Sequence, residues 1–129
     1  MKKILSITLS LLIVITSISF VTTAFAASKL PTTSITSLSA KDNGFTVKWK
    51  KKTKITGYQI QYSTSSKFSK KSTKTVKIKK AKTTSKKITD LKSSKKYYVR
   101  VRTYKNSKKK TDYSAWSKKK SITTKQAKH

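Results

Sequence analysis

Cysteine and glutamate are absent from the 129 residues, proline occurs once and glycine twice. Without cysteine, no disulfide can staple the fold and no thiolate can serve as nucleophile or metal ligand. The acids are Asp42, Asp90 and Asp112, far apart in sequence, and the single histidine is the last residue, His129. Paired-carboxylate catalysis and multi-histidine metal sites therefore have almost no residues to work with. Two glycines do not make a phosphate-cradling loop. Lysine is plentiful, so composition leaves a Ser–Lys pair open, but no serine is marked out by the glycines that usually shape such a site. The chain is expected to be no enzyme and to carry neither cofactor nor metal. It has no Asn-x-Ser/Thr acceptor and no Arg-Gly-Asp sequence. Leu30-Pro31-Thr32-Thr33-Ser34 lacks the glycine and the apolar C-terminal tail of a wall-sorting signal, and reads as linker.

What is present begins with a leader. Met1-Lys2-Lys3 is a short positive region, Ile4 to Phe20 runs without a charge, and Ala24-Phe25-Ala26 follows. Small residues at Ala24 and Ala26 are what a signal peptidase reads, so residues 1–26 are expected to be a secretory signal peptide cleaved after Ala26. The rival reading is an uncleaved membrane anchor, because a span needs about 20 apolar residues and Ile4 to Ala27 is long enough. Removing residues 1–26, with Lys2 and Lys3, leaves 103 residues and reduces the formal charge from +30 to +28. Such a chain holds one modest core.

Period-two alternation recurs through that remainder, as strands require. Phe45, Val47 and Trp49 share one face of their segment, and Tyr58, Ile60 and Tyr62 share one of theirs. Val76 with Ile78, and Tyr97 with Val99 and Val101, repeat the pattern; together with Leu91 these form the expected core. Ser34–Ala40, Ser85–Ile88 and Ser117–Thr123 are shorter candidates. Turn signals separate the runs at Asp42-Asn43-Gly44, Lys54 to Gly57, Ser93-Ser94 and Asn106 to Thr111. Seven short strands at this spacing predict an all-β antiparallel sandwich.

The order of residues goes further. Leu38 precedes Phe45-x-Val47-x-Trp49, then come Gly57-Tyr58-x-Ile60-x-Tyr62, and Leu91 lies six residues before Tyr97-x-Val99-x-Val101. This resembles a fibronectin type III domain. The resemblance implies a seven-stranded Greek-key sandwich of the immunoglobulin-like kind over residues 34–124, after a linker at 27–33 and before a disordered tail at 125–129. It also implies a corner where the Tyr97 hydroxyl bonds back to nearby backbone. The family's members are mostly binding modules, spacers or receptor pieces, so fold alone says little of function.

Tyr113-Ser114-Ala115-Trp116-Ser117 resembles the Trp-Ser-x-Trp-Ser box of cytokine-receptor type III domains, with tyrosine in the first place. In those domains the aromatic ring interleaves with arginines of the neighbouring strand. Here Arg100 and Arg102, the two arginines of the chain, lie two apart on one outward face. A planar guanidinium stacks on tryptophan better than an ammonium does. Two readings follow: a surface stacking ladder of Trp116 with Arg100, Arg102 and Tyr113, or a platform for a sugar or another planar ligand.

Charge is the remaining signal. Lys48, Lys50, Lys77 and Lys79 alternate with core residues and read as solvated strand faces. Others cluster: Lys50, Lys51, Lys52 and Lys54; Lys108, Lys109 and Lys110; Lys118, Lys119 and Lys120. A single cluster reads as a solvated loop, and an AT-rich bacterial genome would produce the same lysine bias. The sum is different, because a body carrying +28 attracts any polyanion, in a salt-dependent way. For a bacterial, secreted or wall-associated chain the polyanions at hand are teichoic acids and other anionic glycans. Extracellular nucleic acid is the second candidate, and a membrane would be engaged only through an uncleaved leader. The expectation is a secreted, non-catalytic binding or adhesion module retained electrostatically on anionic polymers. The alternatives are a discrete carbohydrate or protein site on the Arg100, Arg102 and Trp116 face, and a spacer without a ligand.

Overall fold

The computed structural model describes residues 30–127; the leader, with Ala24 and Ala26, and the final two residues lie outside them. Among the described residues no helix is long and apolar enough to cross a membrane. Eight strands form: β1 (Ile35–Lys41), β2 (Gly44–Trp49), β3 (Gly57–Ser63), β4 (Thr73–Ile78), β5 (Ser85–Ile88), β6 (Lys96–Asn106), β7 (Thr111–Tyr113) and β8 (Lys120–Thr123). One sheet has the order β1-β2-β5. The other has the order β4-β3-β6-β7, with β8 also paired to β6. All strand pairs are antiparallel.

The count of eight corrects the expected seven. β6 runs for 11 residues, and two separate strands share its free edge. β7 pairs with Tyr104 to Asn106, and β8 with Lys96 to Val99. Between them the ladder is replaced in part by serine hydroxyls. Ser114 Oγ accepts from the Thr103 amide at 3.0 Å, and Ser117 Oγ accepts from the Val101 amide at 3.0 Å. The backbone amides of the same serines donate to the carbonyls of Thr103 and Val101. Side-chain oxygens that compete for backbone donors let the chain leave regular strand geometry while every partner stays satisfied.

The alternating residues pack as their period requires. Phe45, Val47, Trp49, Tyr58, Ile60, Ile78, Tyr97, Val99 and Val101 are buried in one cluster, while Tyr62, Val76 and Leu91 are half-buried at its rim. Ile35 and Ile88 complete the core. They sit in strands, β1 and β5, whose other positions are mostly serine, threonine and lysine, so periodicity gave them no voice. Phe45, Tyr62 and Tyr97 meet with ring centroids 6.0–6.2 Å apart. At the corner before β6, the Lys92 amide donates to Tyr97 Oη at 3.2 Å.

Contacts extend beyond the outer strands. Within the stretch read as linker, Thr33 is buried and its hydroxyl donates to the Lys50 carbonyl at 2.6 Å, while the Pro31 carbonyl accepts from Thr103 Oγ1 at 2.8 Å. At the other terminus, Lys125 bonds through its backbone to Lys41 and Asn43. Thr124, 3% exposed, donates to the Lys92 carbonyl at 2.5 Å and accepts from the Lys95 amide at 3.0 Å. Thr124→Val keeps the volume and removes both bonds, leaving a partly buried amide and carbonyl short of a partner. It is expected to cost about 1–3 kcal/mol and to speed hydrogen exchange at the Asn43 amide, which the Lys125 carbonyl holds. Unchanged exchange there would show that the C-terminal clasp contributes nothing.

Candidate functional site

The outward face of the larger sheet is set by register. Gln59 lies opposite Arg102 and Gln61 opposite Arg100 on β3 and β6. Each guanidinium is held by a glutamine in place of an acid. Arg100 donates from Nε and Nη2 to Gln61 Oε1 at 3.0 and 2.6 Å, and Arg102 Nε donates to Gln59 Oε1 at 2.7 Å. These bonds anchor each guanidinium beside its neighbouring strand, where it is free to stack on a ring.

Aromatic rings fill the gaps. The Arg100 guanidinium carbon is 4.1 Å from the Phe68 centroid and 4.4 Å from that of Trp116. The Arg102 carbon is 4.2 Å from Trp116 and 3.8 Å from Tyr113. Residues two apart on a strand are roughly 6.6–6.8 Å apart, so Trp116 lies between the two guanidinium groups with both faces covered. Four of the residues singled out in the sequence, Arg100, Arg102, Tyr113 and Trp116, thus come together in one ladder. Burial lowers the pKa of both arginines; for Arg102, Tyr113 opposes that shift and Arg100 adds to it.

Two members of the ladder were not legible in the sequence. Phe68 sits in the β3–β4 connection at φ 54°, a left-handed conformation that costs a bulky residue about 1–2 kcal/mol. That backbone lays its ring on Arg100. Tyr104 follows Arg102 on the outward face yet is only 1% exposed. Tyr113 stands 6.4 Å from it, ring to ring, and Lys77 Nζ lies 4.8 Å over it. Burial, then the neighbouring Tyr113, push its phenol pKa up.

The lysine clusters take different places. Lys50, Lys51 and Lys54 are exposed and Lys52 half-buried in the β2–β3 connection; Lys108, Lys109 and Lys110 are exposed in the β6–β7 hairpin. These two clusters lie at the same end of the sandwich, since the Asn106 amide donates to Thr56 Oγ1 at 2.9 Å and the Thr56 amide to the Tyr104 carbonyl at 2.8 Å. Lys118, Lys119 and Lys120, also exposed, lie apart from them along β6, where Lys119 Nζ donates to the Ser66 carbonyl at 2.7 Å. At the opposite end a cleft of about 600 Å³ opens beside Tyr62, Lys71, Lys74, Asp90, Lys92 and Tyr97. Among the described residues one ion pair forms, Lys110 with Asp112 at 3.4 Å, and no three potential metal ligands gather.

Comparison with known proteins agrees with this geometry. The fibronectin type III domain model matches residues 30–120. No curated protein matches the chain. Among solved structures, the FN1–FN3 domains of chicken CNTN1 are similar with a TM-score of 0.63 and 20% identity, over 77% of this chain and 32% of that one. A beta-1,2-glucanase from Parabacteroides distasonis is similar with a TM-score of 0.61 and 20% identity, over 78% of this chain and 13% of that one. An Fn3-like protein from Clostridium thermocellum gives 0.57 and 19%, over 79% of this chain and 100% of that one. This chain therefore spans a minor part of the first two, and at such identities the likeness shows the fold alone. Domains of this kind are generally used for binding or as spacers and are typically non-catalytic. With the family model covering most of its length and two antiparallel sheets in a sandwich, the chain belongs to the fibronectin type III family.

Proposed function

We propose that the protein is a secreted bacterial binding module, held on anionic cell-wall or surface polymers by its lysines. The observation that carries this reading is the near-absence of internal neutralisation. The lysines of all three clusters face solvent, Lys52 in part, and one ion pair forms among the described residues. Even that pair is exposed, so it contributes little. Cations without internal partners recruit external anions, and retention on phosphate-bearing polymers follows by counterion release. Teichoic acids and other anionic glycans fit this chemistry after export; extracellular nucleic acid fits it less directly, because the described residues present no α-helix to a groove.

The platform reading is weakened by the same face that suggested it. A sugar stacks on an open ring, and both faces of Trp116 are occupied by Arg100 and Arg102. The ladder supports a structural role.

The test is binding of the mature chain to isolated cell walls, with and without their anionic polymers, across a salt series. Binding that needs the polymers and falls with salt is expected. Binding that persists at high salt, or on stripped walls, would sink the electrostatic reading. The same charge sets stability. Raising salt from about 10 mM to about 150 mM shortens the screening length from roughly 30 Å to roughly 8 Å. The melting temperature should rise over that interval as self-repulsion is screened, and a flat melting curve series would contradict it.

A further inference from the structure

The tertiary structure distributes the lysines unevenly between the two ends of the sandwich. Residues 50–56, 79–84 and 107–110 connect β2 to β3, β4 to β5 and β6 to β7, and all three connections lie at one end. They carry four, three and three lysines, ten together, and no acid. The connections and the C-terminal segment at the other end, residues 42–43, 64–72, 89–95 and 124–127, carry six lysines and two of the three aspartates. Asp112, the third, is on β7 and pairs with Lys110.

Hydrogen bonds tie the three lysine-rich connections to one another or to the strand ends beside them. Tyr58, wholly buried, puts its hydroxyl between two of them: it accepts from the Lys52 amide at 2.9 Å and donates to the Ala81 carbonyl at 2.8 Å. The amide of Trp49, at the end of β2, donates to the Thr84 carbonyl at 3.0 Å and so ties the second connection to the strand that leads into the first. Thr56 joins the first connection to the end of β6, next to the 107–110 hairpin turn, through its amide and its hydroxyl. Like charges held close repel each other, so a frame that keeps ten lysines together works against the stability of the free protein. Binding an anion there relieves that repulsion without reorganising the loops.

We infer that this end of the sandwich, built from the connections at 50–56, 79–84 and 107–110, is the surface that seats a linear phosphate-bearing polymer. The inference rests on the electrostatic reading above and adds a place to it. A polymer fits better than a membrane surface because the three connections present no exposed large apolar side chain to insert; Ile55, within the first, is half-buried against the core. Tyr113 is the exposed large apolar side chain among the described residues, and it belongs to the arginine ladder. A flexible chain of phosphates can instead thread between the three loops and meet lysines from each.

The test compares two triple variants of equal charge, both made at exposed positions so that folding is kept. K51Q/K80Q/K109Q removes one lysine from each of the three connections. K67Q/K71Q/K92Q removes three from the other end, two of them beside the cleft. Affinity for inorganic polyphosphate is measured across a salt series for the unmodified mature chain and both variants, with anionic phospholipid vesicles as a parallel ligand. The first variant should weaken polyphosphate binding about tenfold or more and lower the slope of log affinity against log salt by about 2, as expected for three lost phosphate contacts. The second should change affinity by less than about threefold, because it alters only the long-range field. Equal losses in the two variants would overturn the localised surface and leave diffuse retention standing. Tighter binding to vesicles than to polyphosphate, at equal phosphate, would overturn the polymer as occupant. An unmodified chain that binds neither walls nor polyphosphate would overturn both readings.

Discussion

Trp116→Ala is expected to lower the stability of the domain by about 2–3 kcal/mol while leaving polyanion binding nearly unchanged. The ring makes two guanidinium contacts, at 4.4 and 4.2 Å. Each contributes about 0.5–1 kcal/mol at an exposed site and more when desolvated. Here burial already lowers the pKa of both arginines. Loss of the half-buried indole surface adds about another 1 kcal/mol. For a domain of this size, each kcal/mol moves the melting temperature by roughly 4–8 °C, so the shift should exceed about 8 °C. Arg100→Lys and Arg102→Lys should each reproduce part of it, because a lysine keeps the charge but loses both the plane and the Nε bond to glutamine. A melting temperature within about 2 °C of the unmodified protein would show the ladder to be ornamental. Loss of polyphosphate binding by a folded Trp116→Ala protein would revive the platform.

Gly57→Ala should be of similar or greater size, for a different reason. A Cβ at this position would overlap the carbonyl oxygen of Ile78 and come within 3.1 Å of Tyr104 Cε1. The first obstacle is backbone of β4, the strand that pairs with β3. It cannot swing aside as a side-chain tip can, so the ladder must open or β3 must shift against Tyr104. Overpacking of this kind costs about 1–3 kcal/mol, occasionally more, and a backbone obstacle places it at the upper end, about 3 kcal/mol. Gly44, the other glycine, meets the Ile88 carbonyl in the same way at the start of β2. Gly44→Ala should therefore behave alike, although it touches the other sheet. Urea unfolding reads both effects as a lower midpoint with an unchanged slope. An exposed control, Thr53→Ala, should stay within about 0.5 kcal/mol. Midpoints for the two glycine variants no lower than that control would show that the strands yield freely.

Alternation made the central strands legible. β2, β3 and β6 bury apolar residues on one face and expose polar ones on the other, and a period of two has no other geometric reading. The edge strands were harder. β5 offers Ser85, Lys86 and Lys87 before Ile88, and no alternation is visible in four residues of which three are exposed. Tyr104 continues the outward series of Arg100 and Arg102, so parity alone predicts a solvated ring. It is buried because Tyr113 and Lys77, from β7 and β4, close over it. Phe68 gave no signal at all: it lies in an irregular connection, and only the path of that loop brings it to Arg100.

The sequence by itself determined the sandwich, most of its inward residues and the overwhelming positive charge; for Trp116, Arg100 and Arg102 it left a stacking ladder and a ligand platform both open. What it determined is local or summed: side-chain period, the order of short motifs, a total. Only the tertiary structure decided that an extra strand, β7, forms ahead of the last expected one, that Trp116 is covered on both faces, and that ten lysines from three connections share one end. Those facts depend on which strands become neighbours and where their ends meet. Hydrogen-bond registers between residues dozens of positions apart set that arrangement, and no short window of sequence contains it.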